Sequence, residues 1–362
     1  MKFRKRRVIP LAFAVLSLLG AGISSGVSRQ LYSTQISQQA AERWAADSGD
    51  AYAQVSVFFS RDASFLESSA AGIREAVDAA LVTASLESEN EDARLWYDCY
   101  SAQRGTADVR GTKKNSASAL VTAVGGDFFR MHPLPLLDGS YFSPDDLMHD
   151  RVVIDETLAW QTFGSSEVAG MELVIDDMTY QIAGVVARED DKTSAAAYGE
   201  DPRVYMSFSS ALNTRQRQNE DGGDIPDDTP SIDCYEAVLP NPVRGFAEQT
   251  LTDAIGEREG FRIIQNTTRT SLTNRWNTLR HLREMVIVSD RIAYPYWENA
   301  ARMTDFTAAQ LLGVTIFFLV FPVLYGLWLL WRGYRLIDAF IKKKREQHKR
   351  KFRTIEKDPY SV

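Results

Sequence analysis

The chain has 362 residues, 44% of them apolar, and a formal net charge of −7 at pH 7. This length and composition exclude an intrinsically disordered protein and allow two or three modest domains. Between the two apolar segments described next, 25 basic residues stand against 44 acidic ones. Such an acidic middle argues against binding to nucleic acid.

Two uncharged apolar segments lie near the ends of the sequence, at residues 8–27 and 311–331. Because about twenty helical residues span the hydrocarbon core of a bilayer, both are predicted to be transmembrane helices. The first could also be a cleaved signal peptide, but it lacks a clear small-x-small cleavage site, so we expect a retained anchor. Trp328, Trp331 and Tyr334 collect at the end of the second segment, as is typical of a membrane interface.

Basic residues flank both apolar segments on the sides that face the chain ends. Five of residues 1–7 are Lys or Arg, and so are ten of residues 332–353, against two acidic residues there. Lys and Arg next to membrane segments stay in the cytoplasm. Both termini are therefore expected to be cytoplasmic in a cell membrane, with residues 28–310 forming an extracytoplasmic domain. The basic tail, residues 332–362, is expected either to fix orientation alone or also to bind anionic membrane lipids.

The external part alternates between strand and helix patterns. Strands are predicted at 54–59, 93–102, 116–124, 152–154, 204–208, 232–239 and 261–265, and helices at 63–86, 156–163 and 242–255. Residues 104–115 are interpreted as a turn or hairpin, and residues 171–186 as a hairpin around Asp176 and Asp177. This order indicates a two-lobed, mixed α/β domain of the α+β class, with one lobe at about residues 143–190.

Two further segments are interpreted as halves of a helical stalk that carries the external domain. Residues 28–46 continue the first apolar helix outward. The second half begins at Ser271, and a single amphipathic stripe carries its apolar residues, namely Leu272, Trp276, Leu279, Leu282 and Val286.

Two adjacent carboxylates follow an apolar run in the sequence VVIDETLAWQTFG, residues 152–164. Neighbouring side chains diverge on a strand or a helix, so Asp155 and Glu156 are not predicted to share one substrate atom. Asp155 is instead predicted to cap a helix that ends at Phe163, with Glu156 in its first turn and Gly164 as a left-handed C-cap.

No recognised combination of nucleophile, base or metal ligands occurs, so neither an enzyme nor a cofactor is expected. The acidic segment 213–230 lacks the spacing of an EF-hand and is interpreted as a solvated loop. Cys99 and Cys234 both fall in strand-like runs of the external part. An oxidising compartment permits one disulfide between them, and two buried free thiols are the alternative.

Three segments resemble, in order and spacing, the external core domain of MacB-type ABC transporter permeases, the macrolide-exporter and FtsX-like superfamily. They read AVGGDFFRMHPLPLLDGSYF, RVVIDETLAWQTFG and GMELVIDDMTYQIAGVV. The residues that carry the resemblance are Phe128, Phe129, Gly139, Asp155, Glu156, Phe163, Gly164, Gly170 and Gly184. Asp155 stands where Asn or Ser is commoner in the family, and it caps a helix equally well.

The resemblance implies a permease-like subunit of an ABC-type transport system, with external lobes mechanically coupled through the stalk to an ATPase. It implies an ABC ATPase, a complete FtsX-like permease subunit, or both as partners, and a homodimer or heterodimer. Family members carry two more membrane helices and a cytoplasmic loop that engages the ATPase. Here 31 residues follow Trp331, so a complete permease subunit is expected to supply that contact.

A different class of function is compatible with the same pattern. The external domain would then be a sensor, a binding module or an envelope-assembly scaffold anchored in the membrane. An ATPase gene next to this one would favour transport, and a kinase or cell-wall enzyme gene would favour the scaffold.

Overall fold

The computed structural model describes residues 2–46, 49–87, 94–111, 115–143, 146, 148–211, 231–282 and 291–357. The chain divides into two compact units. The helical unit comprises Met1–Gln30 and Ala308–Val362, and the sheet unit comprises Leu31–Thr307.

The helices and strands are numbered in chain order. The helices are α1 (Lys2–Ser33), α2 (Ala40–Ala45), α3 (Glu67–Thr83), α4 (Phe128–Met131), α5 (Glu156–Phe163), α6 (Lys192–Tyr198), α7 (Phe246–Ile255), α8 (Leu272–Arg280) and α9 (Tyr296–Lys357). The strands are β1 (Tyr52–Phe59), β2 (Tyr97–Arg110), β3 (Ser116–Gly126), β4 (Leu136–Gly139), β5 (Arg151–Asp155), β6 (Glu172–Ile175), β7 (Met178–Val186), β8 (Arg203–Ser207), β9 (Cys234–Pro240) and β10 (Phe261–Gln265).

The helical unit is built from most of α1 and most of α9, which are both long and apolar enough to cross a membrane. One face of α1 carries small buried residues at alternating spacings of three and four, namely Ala14, Ser17, Ala21, Ser24 and Ser28. This is a heptad pattern, and small residues let two membrane helices approach closely. The large apolar residues of α1 point away from this face and are exposed.

Direct contacts join α1 to α9 within the helical unit. The Ser24 hydroxyl donates to the Leu311 carbonyl oxygen at 2.8 Å and accepts from the Thr315 hydroxyl at 3.0 Å. The rings of Phe13 and Phe321 meet edge to face, with centroids 4.6 Å apart. Two apolar helices thus pack through a stripe of small residues with a hydroxyl contact at one point.

One ten-stranded sheet forms the sheet unit. Its hydrogen-bonded order is β10-β1-β9-β2-β3-β8-β5-β7-β4, and β6 pairs with both β2 and β7. The pairs β3·β8 and β5·β7 are parallel, and the others are antiparallel. Because β6 returns to β2, six strands close a ring in the order β2-β3-β8-β5-β7-β6. The open part, β10-β1-β9, extends from the same strand β2.

Each face of the sheet has its own apolar cluster. The larger cluster fills the ring and continues under α3 and α7, which bury residues such as Ile73, Val77 and Leu251 against β1 and β9. The smaller cluster includes α2, α4 and the first residues of α9, among them Phe128, Tyr296 and Trp297. The predicted fold class, a mixed α/β domain between two apolar helices, is confirmed.

Strand β2 is longer than the sequence predicts. Residues 104–110, predicted as part of a turn or hairpin, continue the strand after an irregularity between Gln103 and Thr106. Gly105 lies in that irregularity with φ +80°, a conformation that glycine adopts without strain. The hairpin alternative is confirmed, because residues 106–110 pair antiparallel with β3. A turn over the whole segment is wrong, since Ala107 and Val109 alternate with exposed residues and are buried. The extra length lets β2 belong to both the ring and the open part.

Other differences are smaller. Helix α3 begins at Glu67 instead of residue 63, and α4, β4 and α6 were not predicted. Helix α8 ends at Arg280, so the predicted stripe as far as Val286 does not form one continuous helix in the described residues. Val286 itself and the acidic segment 213–230 lie outside the described part of the chain.

The helix pair makes a testable prediction. Ser24 is buried against α9, whereas the adjacent Ser25 is exposed. We expect Ser24→Leu to destabilise the full-length protein by about 1 to 3 kcal/mol, because the larger side chain overfills a close contact. Ser25→Leu is the matched control and should have little effect. Thermal unfolding in detergent micelles, followed by circular dichroism, measures both, and equal effects would contradict this packing.

Candidate functional site

Asp155 holds the start of α5, as the sequence predicts. Its carboxylate accepts a hydrogen bond from the Leu158 amide at 2.8 Å, and Gly164 ends the helix in the left-handed conformation. Asp155 is also fully buried, and it accepts from the Tyr198 hydroxyl at 3.1 Å. Burial raises its pKa, although the Leu158 amide and the Arg188 guanidinium, 3.6 Å away, oppose that shift. Asp155 therefore joins β5, α5 and α6 and is not a free acid.

The other motif residues shape the same region. Phe163 is buried in the larger apolar cluster, and Glu156 lies in the first turn of α5. Gly139 and Gly184 face each other where β4 pairs with β7. A Cβ on Gly139 would lie 2.2 Å from the Ala183 carbonyl oxygen, so only glycine allows this approach. Gly170 lies in the turn that precedes β6. These residues keep β4, β5 and β7 together.

Phe128 and Phe129 form the first turn of α4, immediately after β3. Phe128 is buried, and the Phe129 ring stacks on Tyr141 with centroids 4.5 Å apart. A cleft of about 440 Å³ opens beside them, lined by residues 125–130 and by several aromatic rings. This volume falls within the range of small-molecule sites. The cleft would accommodate a small molecule with an apolar or aromatic part.

A buried carboxylate lies at the centre of the open part of the sheet. Glu236 on β9 is opposite Ser56 on β1 and opposite Cys99 on β2. It accepts from the Ser56 hydroxyl at 2.6 Å and from the Trp297 indole at 3.1 Å, and it lies 2.6 Å from Nε2 of His132. Burial opposes ionisation of Glu236, but the His132 charge and these hydrogen bonds hold its pKa below the usual value.

The contacts continue from Glu236 to Arg269. The Ser56 hydroxyl accepts a hydrogen bond from the Asn266 side-chain amide at 2.7 Å. The Asn266 side-chain carbonyl in turn accepts from Nε of Arg269 at 3.1 Å. The short helical turn Asn266–Thr268 follows directly after β10. A continuous polar path thus runs from the middle strand of the open sheet to the segment that precedes α8.

Arg269 joins this path to both long helices. Its guanidinium pairs with Asp305 at 2.6 Å and with Glu298, and both carboxylates lie on the first turns of α9. The Tyr32 hydroxyl, in the last turn of α1, donates to Asp305 at 3.1 Å. These two carboxylates raise the pKa of Arg269 despite its burial. We call this set the Glu236–Arg269 network; its members are Tyr32, Ser56, His132, Glu236, Asn266, Arg269, Glu298 and Asp305.

A second set of contacts joins α6 to the segment after α1 and to α9. The Gln35 side-chain amide donates to the Thr193 hydroxyl at 3.1 Å, and Thr193 lies on α6. The Thr193 hydroxyl is 3.0 Å from that of Thr304 on α9. Arg269, next to the open part of the sheet, and Thr193 of α6 therefore both contact residues near the end of α1 or in the first turns of α9.

The two cysteines lie on one face of neighbouring strands. Cys99 is opposite Glu236, and Cys234 is opposite Ser101, so the two thiols are diagonal neighbours. Diagonal pairs are separated by about 7 to 8 Å between Cα atoms, beyond the usual reach of a disulfide. Both thiols are buried and unbonded in the structure, and burial raises their pKa values. The disulfide, one of the two alternatives from the sequence, is absent between these described residues.

One group within the described residues could hold a metal ion. Ligand atoms of Cys99, His132 and Glu236 all lie within 4.8 Å of one another. The Glu236 carboxylate already accepts from Ser56 and Trp297 and contacts His132. A metal ion would have to break the His132 contact, so the geometry favours an ion pair. The contacts of Glu236 hold β1, the residue after α4 and the first turn of α9 to β9.

The contacts of the Glu236–Arg269 network were not predicted from the sequence. Its members come from β1, β9, the residues around α4, the turn after β10 and both long helices, and they are separated by up to 273 positions. One local signal existed, because His132 directly follows the GGDFFRM segment. Glu236 at the centre of a predicted strand was a second signal, since a charge there requires a buried partner.

The sequence matches the profile of a known protein family. The sequence profile of the MacB-like periplasmic core domain matches residues 11–232, more than half of the chain. The macrolide export ATP-binding/permease protein MacB of Chromobacterium violaceum is 32% identical over 98 residues, which are 26% of this chain and 15% of that protein. The alignment therefore spans a small part of that relative.

Two solved structures show limited similarity. The extracellular domain of the ABC-type transporter YknZ from Gram-positive bacteria is 13% identical, with a TM-score of 0.37, and the match covers 58% of this chain and 99% of that one. The periplasmic region of MacB from Actinobacillus actinomycetemcomitans is 17% identical, with a TM-score of 0.37, and the match covers 59% of this chain and 89% of that one.

The lowered pKa of Glu236 makes the free energy of unfolding depend on pH. Because the folded pKa of Glu236 lies below its ordinary value of 4.5, its contribution is complete above that pH and is lost as the pH falls through the folded pKa. We expect Glu236→Gln to lower the free energy of unfolding near pH 7 by about 1.5 to 3 kcal/mol. The difference from wild type should shrink below pH 4.5. Denaturant unfolding from pH 7 to pH 3 measures it.

The exposed Glu167 supplies the control for this experiment. Glu167→Gln should leave the unfolding free energy close to wild type throughout the range. A Glu236→Gln deficit that stays constant down to pH 3 would contradict the ion pair with His132.

Proposed function

The chain belongs to the MacB-like periplasmic core domain family, and from this premise we propose that it is a permease-like subunit of an ABC-type transport system. The sheet unit would be the external domain, and α1 and α9 would cross the membrane with both termini in the cytoplasm. An ABC ATPase, a complete FtsX-like permease subunit, or both would be its partners. The chain itself would act by binding and movement and not as an enzyme.

The Glu236–Arg269 network is the observation that carries the proposed coupling. Removing one partner of a buried ion pair typically costs about 3 to 5 kcal/mol, so such a group resists opening. Arg269 pairs with two carboxylates on α9, and one of these also accepts from Tyr32 of α1. A displacement of either helix would therefore be passed to β1 and β9 through Asn266 and Ser56. This is how the external domain would follow the ATPase cycle.

Charge supports the proposed orientation and two of the proposed contacts. Ten basic residues lie in 332–353, at the end of α9 that would face the cytoplasm. We propose that this tail binds anionic lipids, where each basic residue contributes about 1 kcal/mol near the surface. The exposed apolar residues of α9 within the span, such as Phe317 and Leu330, would contact lipid or a partner subunit, which supports a homodimer or heterodimer.

The test starts with the full-length protein, purified from native membranes in mild detergent. An ABC ATPase should co-purify and be identified by mass spectrometry. Amide hydrogen exchange of the complex, with and without ATP, then reports whether nucleotide changes the sheet unit. We expect Arg269→Gln to retain the ATPase but to lose the ATP-dependent change in β1 and β9, because the link between helices and sheet is cut.

Arg94 provides a control outside the network. It pairs with Asp127 at 2.7 Å, and neither residue is a member of the Glu236–Arg269 network. Arg94→Gln should keep the ATP-dependent change. Absence of any ATPase partner would contradict the transport role, whereas an unchanged ATP response in Arg269→Gln would contradict only the coupling route.

A further inference from the structure

The cleft beside α4 lies at the carboxyl ends of two parallel strands. Strands β3 and β8 run side by side, with Val124 opposite Ser207, and both of these residues line the cleft. The residues that follow each strand, 125–130 and 208–209, continue the lining. Ligands commonly bind in the crevice outside the carboxyl ends of parallel strands. The position of the cleft and its volume of about 440 Å³ therefore favour a small-molecule site.

Two glycines at the end of β3 let an aromatic ring pack against bare backbone in this cleft. A Cβ on Gly125 would lie 2.2 Å from the ring of Tyr100, and a Cβ on Gly126 would lie 2.6 Å from the Asp98 carbonyl oxygen. The hydroxyl of the same Tyr100 donates a hydrogen bond to the Glu67 carboxylate. The glycines thus allow the ring position from which Tyr100 holds Glu67 at the cleft.

Glu67 is a carboxylate that carries a negative charge into the cleft without a basic partner among the described residues. Its bond from Tyr100 is neutral, and no Lys, Arg or His in the described ranges pairs with it. It is the first residue of α3, where the helix dipole stabilises a negative charge. Asp127, the other acidic residue of the lining, pairs with Arg94 at 2.7 Å and with Arg130 at 3.8 Å. Glu67 is therefore available to a positively charged ligand.

Aromatic rings supply the second feature of a site for organic cations. Phe129 and Tyr141 are half-buried in the lining, and their rings are stacked with centroids 4.5 Å apart. A cation is attracted to the face of such a ring and gains more where water is excluded. The protein itself shows this attraction, because the guanidinium carbon of Arg104 lies 5.1 Å from the centre of the Phe208 ring, which also lines the cleft.

We propose that this cleft binds a small organic cation with an aromatic or apolar body. The cationic nitrogen lies next to Glu67, and the body packs against Phe129 and Tyr141. The acidic external part, with 44 acidic and 25 basic residues between the apolar segments, attracts such a ligand from solution. Binding is a property of the sheet unit and needs no ATPase, so its failure would leave the proposed transport role untouched.

A cation explains this combination of residues better than a neutral or an anionic ligand does. A neutral apolar ligand would use the rings, but it would leave the Glu67 charge without a counter-ion in a partly desolvated cleft, which costs free energy. An anion of the same size would be repelled by Glu67. The two charged classes can be compared directly, because ligands with the same apolar body and opposite headgroups exist.

Equilibrium dialysis of the full-length protein in dodecyl maltoside tests the proposal. The probes are 4-phenylbutyltrimethylammonium and 4-phenylbutanesulfonate, which share one apolar body, and equal detergent in both chambers cancels partitioning into micelles. The pH is 8, so that His149, which also lines the cleft, is neutral. We expect saturable binding of the ammonium ion, and binding of the sulfonate that is weaker by about tenfold or more.

Site variants separate the charge from the rings. Glu67→Gln should weaken ammonium binding by about tenfold, and Phe129→Leu, which keeps an apolar side chain but removes the ring, should weaken it several-fold. Glu167→Gln, at an exposed position, is the matched control and should bind as wild type does. Thermal unfolding of each variant shows that the folded protein is being compared.

Three results would overturn the proposal. They are the absence of saturable ammonium binding to the wild-type protein, equal affinity for the two probes, and wild-type affinity for the ammonium ion in folded Glu67→Gln. Because Phe129→Leu leaves Glu67 in place, unchanged binding in that variant would also contradict the placement of the ligand.

Discussion

A guanidinium buried in the sheet unit needs partners that neutralise its charge. For Arg269, this requirement determines which elements pack next to it. The side chain is only 8% exposed, and it has carboxylates of α9 on one side and the Asn266 amide on the other. An unpaired charge in such a place would cost several kcal/mol. The pairing at Arg269 therefore holds the first turns of α9, the end of α1 and the edge of the open sheet together.

The sheet connects Arg269 to the rest of the sheet unit. Because β2 is long enough to border both β9 and the ring, the carboxylate of Glu236 and the capped helix α5 belong to one continuous hydrogen-bonded surface. Asp155, buried with Tyr198, fixes α5 and α6, and Thr193 of α6 contacts Thr304 of α9. In the proposed transport role, the ring and the open part of the sheet would respond to α9 together.

The features that could be predicted from the sequence are those that depend on residues close together in the chain. The cap at Asp155, the left-handed Gly164 and the two apolar helices follow from patterns within one or two turns. The full length of β2 was not predicted, because Gly105 and nearby arginines interrupt the alternation of buried and exposed residues. The network could not be predicted, because Ser56, Glu236 and Arg269 meet only once the order of β1, β9 and β10 is known. The small-residue heptad of α1 was readable in the sequence and marks the face that packs against α9.

The central claim is that Glu236 and Arg269, which do not touch, act as one unit through Ser56 and Asn266. A double-mutant cycle with Glu236→Gln and Arg269→Met tests it most directly, using the free energy of unfolding of the full-length protein in detergent micelles. The account predicts an interaction energy above about 0.5 kcal/mol, and a value within error of zero for the cycle of Glu236→Gln with Arg188→Met. If the effects of Glu236→Gln and Arg269→Met simply add, the network is not a unit and the account is wrong.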